Sequence, residues 1–249
     1  MNPKPKLPNY EFLRFQQAIS PKRLETYRNS LSDRNSDLLS TYLWNISLSE
    51  ALYPVLHNFE IALRNSLYQA ISRSFYEDWL CRVDSEILHD NEVKAVRSAI
   101  KSLCEKGRSI STGNLVSELN LGFWVSLSYS KYEARDRLYP RLFKDKEFLP
   151  HIPKSRRTRR TLSEQFTLIK KLRNRVFHHD PIWNESNLRR TYDNTLEVIQ
   201  WISPMLYETT KNLSRFPDVY VQGRTIYTEI VEKTISGAES DCIKQVSQN

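Results

Sequence analysis

Residues 161 to 181 read Thr161-Leu162-Ser163-Glu164-Gln165-Phe166-Thr167-Leu168-Ile169-Lys170-Lys171-Leu172-Arg173-Asn174-Arg175-Val176-Phe177-His178-His179-Asp180-Pro181. Leu162, Phe166, Ile169, Leu172 and Val176 recur at intervals of three and four, which puts them on one buried stripe of an α-helix. Thr161-Leu162-Ser163-Glu164 has the form of a capping box at the helix start. Asp180-Pro181 closes the helix, because the residue before proline is driven out of the helical region. Elsewhere, five glycines and no run of Val/Ile/Thr alternation argue against a sheet, while long segments of Leu, Ile, Glu, Lys and Arg argue for helices. The expected fold class is mostly α, as one large domain.

The same period predicts the remaining elements. Ser20-Pro21 supplies an N-cap with proline at the first helical position and opens a short helix to Leu31. Ser36 caps a helix with Leu38, Leu39, Tyr42, Leu43 and Ile46 inward, and another follows Tyr53-Pro54 with Leu56, Phe59, Leu63, Leu67 and Ile71 on one face. Residues 91–106 form a helix ended by Gly107 in a left-handed C-cap. Helices are expected at 114–119 and 122–139. In the latter, Phe123, Trp124, Tyr129, Tyr132 and Tyr139 at helical spacing read as core rather than as a stacking platform for bases. A last long helix covers 187–212, with Leu188, Tyr192, Leu196, Ile199 and Ile202 inward. The run Tyr220 to Tyr227 is compatible with a small C-terminal hairpin. Residues 1–8 read as loose and 236–249 as disordered.

The net charge of +8, from 37 basic and 29 acidic side chains, favours a polyanionic partner without naming it. Cys81, Cys104 and Cys242 are odd in number and lack metal spacing, so neither a disulfide framework nor a zinc site is indicated, and a reducing cytoplasm fits. No secretory signal and no apolar run long enough to cross a bilayer is present, which argues against a membrane partner. Phosphate-loop, dinucleotide-binding and zinc-protease motifs are absent, and no cofactor or metal is called for.

The end of the 161–181 helix carries the chemistry. Arg173 supplies a permanent cation, and His178 and His179 supply imidazoles that titrate near neutral pH. RNA cleavage needs both: a base for the attacking 2′-hydroxyl and a cation for the phosphorane. An Arg five places before a His is expected about 0.4 times by chance in a chain of this composition, and requiring Asn after the Arg lowers this to roughly 0.02. A second basic cluster, Lys154, Arg156, Arg157, Arg159 and Arg160, crowds cations at a helix start, where they oppose the macrodipole and call for a compensating anion such as backbone phosphate. Lys170 and Arg175, on the motif helix, are counted with these arginines as RNA-binding cations.

Arg173, Asn174, His178, His179, Asp180, Pro181 and Ile182 together resemble the mark of the Abi-like (abortive infection, AbiD/AbiF-type) proteins of the HEPN superfamily, R-N-x-x-x-H followed by H-[DE]-P-I. The likeness extends to Trp44-Asn45, Ala51-Leu52-Tyr53-Pro54, Glu60-Ile61-Ala62-Leu63-Arg64-Asn65, Glu118-Leu119, Gly122-Phe123-Trp124 and Trp201-Ile202. It implies a HEPN-like helical bundle over 36–212, with extensions at 1–35 and 213–249. It further implies a metal-independent endoribonuclease in anti-phage defence, with Arg173, Asn174 and His178 catalytic. His179, at the other spacing the superfamily allows, and Glu60, Arg64 and Asn65 are supporting candidates.

On an ideal helix Arg173 points about 140° away from His178, whereas Asn174 and His178 share a face. A reshaped last turn could bring His178 round, or a second chain could complete the site. The resemblance implies the second solution, a homodimer with motif helices facing across a twofold axis. RNA is the expected partner, as substrate and also as a small noncoding regulator. Two other classes remain open at this level: a non-catalytic RNA-binding module and a protein-interaction bundle.

Overall fold

The computed structural model describes residues 9–28, 35–82, 87–134 and 138–234 of the chain. In order it contains α1 (Asn9–Ile19), α2 (Pro21–Arg28), α3 (Asn35–Ser74), α4 (Asp90–Glu105), α5 (Thr112–Glu118), α6 (Leu121–Ser126), α7 (Leu138–Leu142), α8 (Arg159–Phe177), α9 (Leu188–Ile202), α10 (Pro204–Leu213) and α11 (Phe216–Gln222). Short 3-10 turns occupy Ser130–Tyr132 and Lys154–Arg156, and residues 225–234 are again helical. Among the described residues there is no strand, and the fold is mostly α. The predicted loose segment 1–8, the end of the second helix at Leu31 and the tail 236–249 lie outside the described residues.

The hairpin expected at Tyr220–Tyr227 is corrected. Its residues lie in α11, in a turn at Gly223 with φ of 65°, and in the helical segment that follows. Tyr227 and Val231, one helical turn apart, are the buried positions there, so the local period is near four rather than two.

The chain divides into two compact units, one of residues 1–52, 175–188 and 215–249 and the other of 53–174 and 189–214. The division cuts α3 beside Pro54 and α8 between Asn174 and Arg175. Two separate helices were expected around Pro54, but α3 runs through it. Proline removes only one N–H, the donor to the Glu50 carbonyl, and 40 residues of helix outweigh that loss.

In the first unit Leu24, Tyr27 and Leu38 form a buried cluster against Phe15, Ile19, Leu39, Tyr42 and Trp183. Tyr27 meets Tyr42 edge-on at 5.5 Å and stacks with Trp183 at 6.5 Å. The Trp44 indole N–H donates to the Val219 carbonyl at 3.0 Å, tying α11 to α3. The predicted inward stripe of early α3 is rotated. Ile46 is 46% exposed, while Thr41 and Asn45 are buried with Leu38, Leu48 and Leu52.

In the second unit Leu56, Phe59, Leu63, Leu67 and Ile71 of α3 are all buried, as their spacing predicts. The aromatic core holds Trp79 against Trp124 and Phe59 against Phe166, each pair 6.3 Å apart. Phe123, Trp124, Tyr132 and Tyr139 are buried. They do not sit on one helix over 122–139 as expected, because α6 stops at Ser126. Ser126 and Ser128 turn their hydroxyls back onto the Phe123 and Val125 carbonyls, and Arg159 takes the Ser128 carbonyl, so local side-chain bonds replace the helical ladder.

Glu92 is a buried carboxylate in this unit, accepting from Lys131, Tyr132 and Ser126 at 2.5, 2.9 and 2.8 Å. Burial works against its ionisation, but those donors outweigh burial and hold its carboxyl below the usual range.

Candidate active site

The motif helix α8 begins two residues before the expected capping box. Thr158 is its cap: the Thr161 N–H donates to the Thr158 hydroxyl at 3.1 Å, and Glu164 pairs with Arg160 instead. Its predicted stripe of Leu162, Phe166, Ile169, Leu172 and Val176 is buried throughout.

The C-terminal end is where geometry and chemistry meet. The His179 N–H donates to the Val176 carbonyl at 3.1 Å and the Asp180 N–H to the Arg175 carbonyl at 2.8 Å. These two bonds define a Schellman ending with His178 as C-cap and His179 at the left-handed position, where its φ is 58°. Helix α4 ends the same way. Gly107, with φ of 64°, donates to Cys104, and Arg108 donates to Leu103. Glycine takes that conformation without steric cost, whereas a side chain with Cβ costs about 1–2 kcal/mol. The molecule therefore uses the inexpensive residue at α4 and a histidine at α8. Strain of this kind, on an exposed titratable residue beside a second exposed histidine, marks the turn as a candidate site.

What holds the turn is a set of contacts within the first unit. Buried Asn45 accepts the Ile182 N–H at 2.7 Å and the Trp183 N–H at 3.1 Å. Arg175 donates to the Pro181 carbonyl and pairs with Glu185, closing the segment from below. The Arg23 guanidinium reaches the His178 carbonyl at 3.5 Å, at the long end of hydrogen-bond range. Ile182 is fully buried, and Trp183 lies on Tyr27. Burial, followed by the nearby Tyr42, pushes the Tyr27 hydroxyl up to about 12, and its hydrogen bond with Asn45 only partly offsets this. Tyr27 thus stays a neutral phenol beside the turn.

Asn45, Arg23, Tyr27, Trp183 and Glu185 were not assigned roles from the sequence. Asn45 had one visible signal. It stands in the Trp44-Asn45 block of the family resemblance, although the predicted inward stripe left it out.

In the second unit, Arg173 donates from Nε to Glu60 Oε2 at 3.0 Å, with the two side chains 24% and 20% exposed. Glu60 was expected either to pair with Arg64 one turn away or to stand near Arg173, and the ion pair is with Arg173. A carboxylate on the Nε edge fixes the plane of the guanidinium, a rigid fork suited to phosphate oxygens. Arg64 is half-buried, with Nε shielded and without a partner, Asn65 is exposed, and Asn174 is half-buried.

The basic cluster is largely engaged within the second unit. Arg157 donates to the Phe143 and Asp145 carbonyls, Arg159 pairs with Glu133 at 2.9 Å, and Arg160 pairs with Glu164 at 2.9 Å. The anion called for at this helix start is thus supplied by two glutamates, and the dipole argument no longer requires phosphate. Lys170 donates to the Tyr129 hydroxyl at 3.0 Å. Arg156 is exposed and makes no ion pair among the described residues.

Among the described residues, no helix is long and apolar enough to cross a membrane. Comparison with curated proteins gives no match, and comparison with solved structures gives none. A protein family described as Abi-like protein matches residues 7–184, a span that takes in both the Asn45 clamp and the strained histidine turn. With more than half of its length matched, the chain belongs to the Abi-like protein family, which ties it to abortive infection.

Proposed function

We propose that this chain is a metal-independent endoribonuclease of HEPN type, acting in an abortive-infection system by cleaving RNA at a site completed by a second copy of itself. The observation that carries the reading is the strained, clamped turn that presents His178 and His179 to solvent, directly after a helix bearing Arg173. His178 acts as general base on the 2′-hydroxyl or as general acid on the leaving oxygen. Arg173, oriented by Glu60, stabilises the charge of the pentavalent phosphorane. Asn174, one turn before His178, orients the imidazole or a phosphate oxygen.

Support for the dimer comes from the helix itself. It stays helical through Phe177, and the chain leaves it only at His179. An ideal helix sets positions 173 and 178 about 140° apart, which favours a site whose missing partner comes from a second chain.

Purified protein incubated with single-stranded RNA in EDTA is expected to yield fragments with 2′,3′-cyclic phosphate ends and to leave DNA intact, since DNA lacks the attacking hydroxyl. Cleavage that stops in EDTA contradicts the metal-independent mechanism. RNA that stays intact but bound indicates a non-catalytic RNA-binding module.

A further inference from the structure

The second unit contains a basic hollow that the motif chemistry does not use. It is an open cavity of about 340 Å³ lined, among the described residues, by Arg73, Ser74, Arg141, Lys144 and Asp145. Three cations face one carboxylate. That carboxylate is already committed, because Asp145 binds Arg73 at 2.8 Å and accepts the Glu147 N–H at 2.9 Å. Among the described residues, neither Arg141 nor Lys144 forms an ion pair, so the hollow carries an uncompensated positive charge.

The hollow is also held in shape. The Arg141 guanidinium lies over the Phe75 ring at 4.4 Å, which fixes its plane. Arg157 donates to the Phe143 and Asp145 carbonyls at 3.2 and 3.1 Å, pinning the loop that carries Lys144 and Asp145. Arg157, read from sequence as an RNA contact, also acts as a positioning residue for this loop. An enclosed, mostly apolar pocket would indicate a small metabolite. An open, charged one matches a phosphate on a polymer that continues past it.

From this we infer that the hollow around Arg141 and Lys144 binds backbone phosphate of single-stranded RNA, as a docking site separate from the histidine turn. The inference rests on the reading of RNA as substrate. It assigns part of RNA affinity to residues that take no part in cleavage.

The test uses the full chain carrying His178→Ala, so that RNA is not cut, and a fluorescent single-stranded RNA of about 20 nucleotides, long enough to cover several phosphate contacts. Anisotropy is measured over a KCl series. Adding Arg141→Gln and Lys144→Gln is expected to weaken binding roughly tenfold and to lower the slope of log affinity against log salt by about 1.4, two contacts at about 0.7 each. Adding Lys94→Gln and Lys233→Gln removes the same charge at exposed sites elsewhere and is expected to change the slope far less. Matching thermal melts establish that each variant folds.

Equal loss in both double variants would reduce the effect to net charge and overturn the site. Unchanged RNA binding in the Arg141/Lys144 variant also overturns it while leaving the RNA reading standing. Titration with inorganic phosphate separates one further outcome: phosphate binding lost with RNA binding retained would make the hollow a small-anion site and reject the RNA assignment. Absence of RNA binding by the parent protein itself rejects both readings together.

Discussion

Replacing His178 with Ala is expected to lower RNA cleavage by about 10²- to 10⁴-fold, the usual contribution of a positioned acid or base. Folding stability should change by less than about 0.5 kcal/mol, because the side chain is exposed and caps nothing that the backbone does not already satisfy. The neighbouring residue gives the internal control. His179→Gly relieves the left-handed strain and should raise stability by about 1 kcal/mol while keeping cleavage. Initial rates on a fluorescent RNA, with thermal melts on the same samples, read both quantities. If His179→Gly loses activity and His178→Ala retains it, the catalytic assignment passes to His179, and the strained conformation becomes the means of aiming that imidazole.

The largest loss of stability is expected at Asn45. Its side-chain oxygen is the acceptor for the Ile182 and Trp183 amides, and Ile182 is fully buried. Asn45→Ala leaves those two donors unpaired at about 1–3 kcal/mol each, less what Trp183 recovers from water, for a total of about 3 kcal/mol. A chain of this size should lose about 6–12 °C in Tm. Amide hydrogen exchange at residues 182 and 183 should accelerate sharply, which localises the loss to the clamp. Cleavage should fall with it, since the turn that presents His178 is then no longer fixed. Unchanged exchange at these amides would mean that Asn45 does not hold the turn.

Helices whose stripe is purely apolar were legible in the sequence. The α8 stripe from Leu162 to Val176 and the α3 stripe from Leu56 to Ile71 are buried at each predicted position, because the hydrophobic effect alone sets their orientation. The early part of α3 was misread for the opposite reason. Satisfying two buried amides through Asn45 outweighs burying one more methyl-rich face, so the helix turns Asn45 inward and leaves Ile46 exposed. The hairpin expectation rested on aromatic and β-branched residues around Gly223, whose positive φ serves equally well between two helices.

At the candidate site, the one-dimensional spacing pointed to Arg173 and the histidines as candidates, and Glu60 was linked to Arg173 through resemblance. The αL conformation of His179 was hidden, since only a second, glycine-ended helix such as α4 reveals what that position ordinarily demands. The partners of Arg157 and Arg159 were hidden, because Glu133 and the carbonyls that engage them lie 12 or more residues away in sequence, whereas Glu164 stands one helical turn from Arg160. Conversely, Arg73 is distant in sequence from Arg141 and Lys144 and joins them only in the fold.

The proposed shared dimeric site is tested most directly by mixing Arg173→Ala and His178→Ala proteins, each expected to be inactive, and allowing their subunits to exchange. A site that takes its guanidinium from one chain and its imidazole from the other is rebuilt in each mixed dimer. Random exchange should then restore about a quarter of wild-type cleavage, one intact site of two in half of the dimers. Mixed dimers that form, as seen by native mass spectrometry, yet cleave no faster than either parent would contradict the shared site.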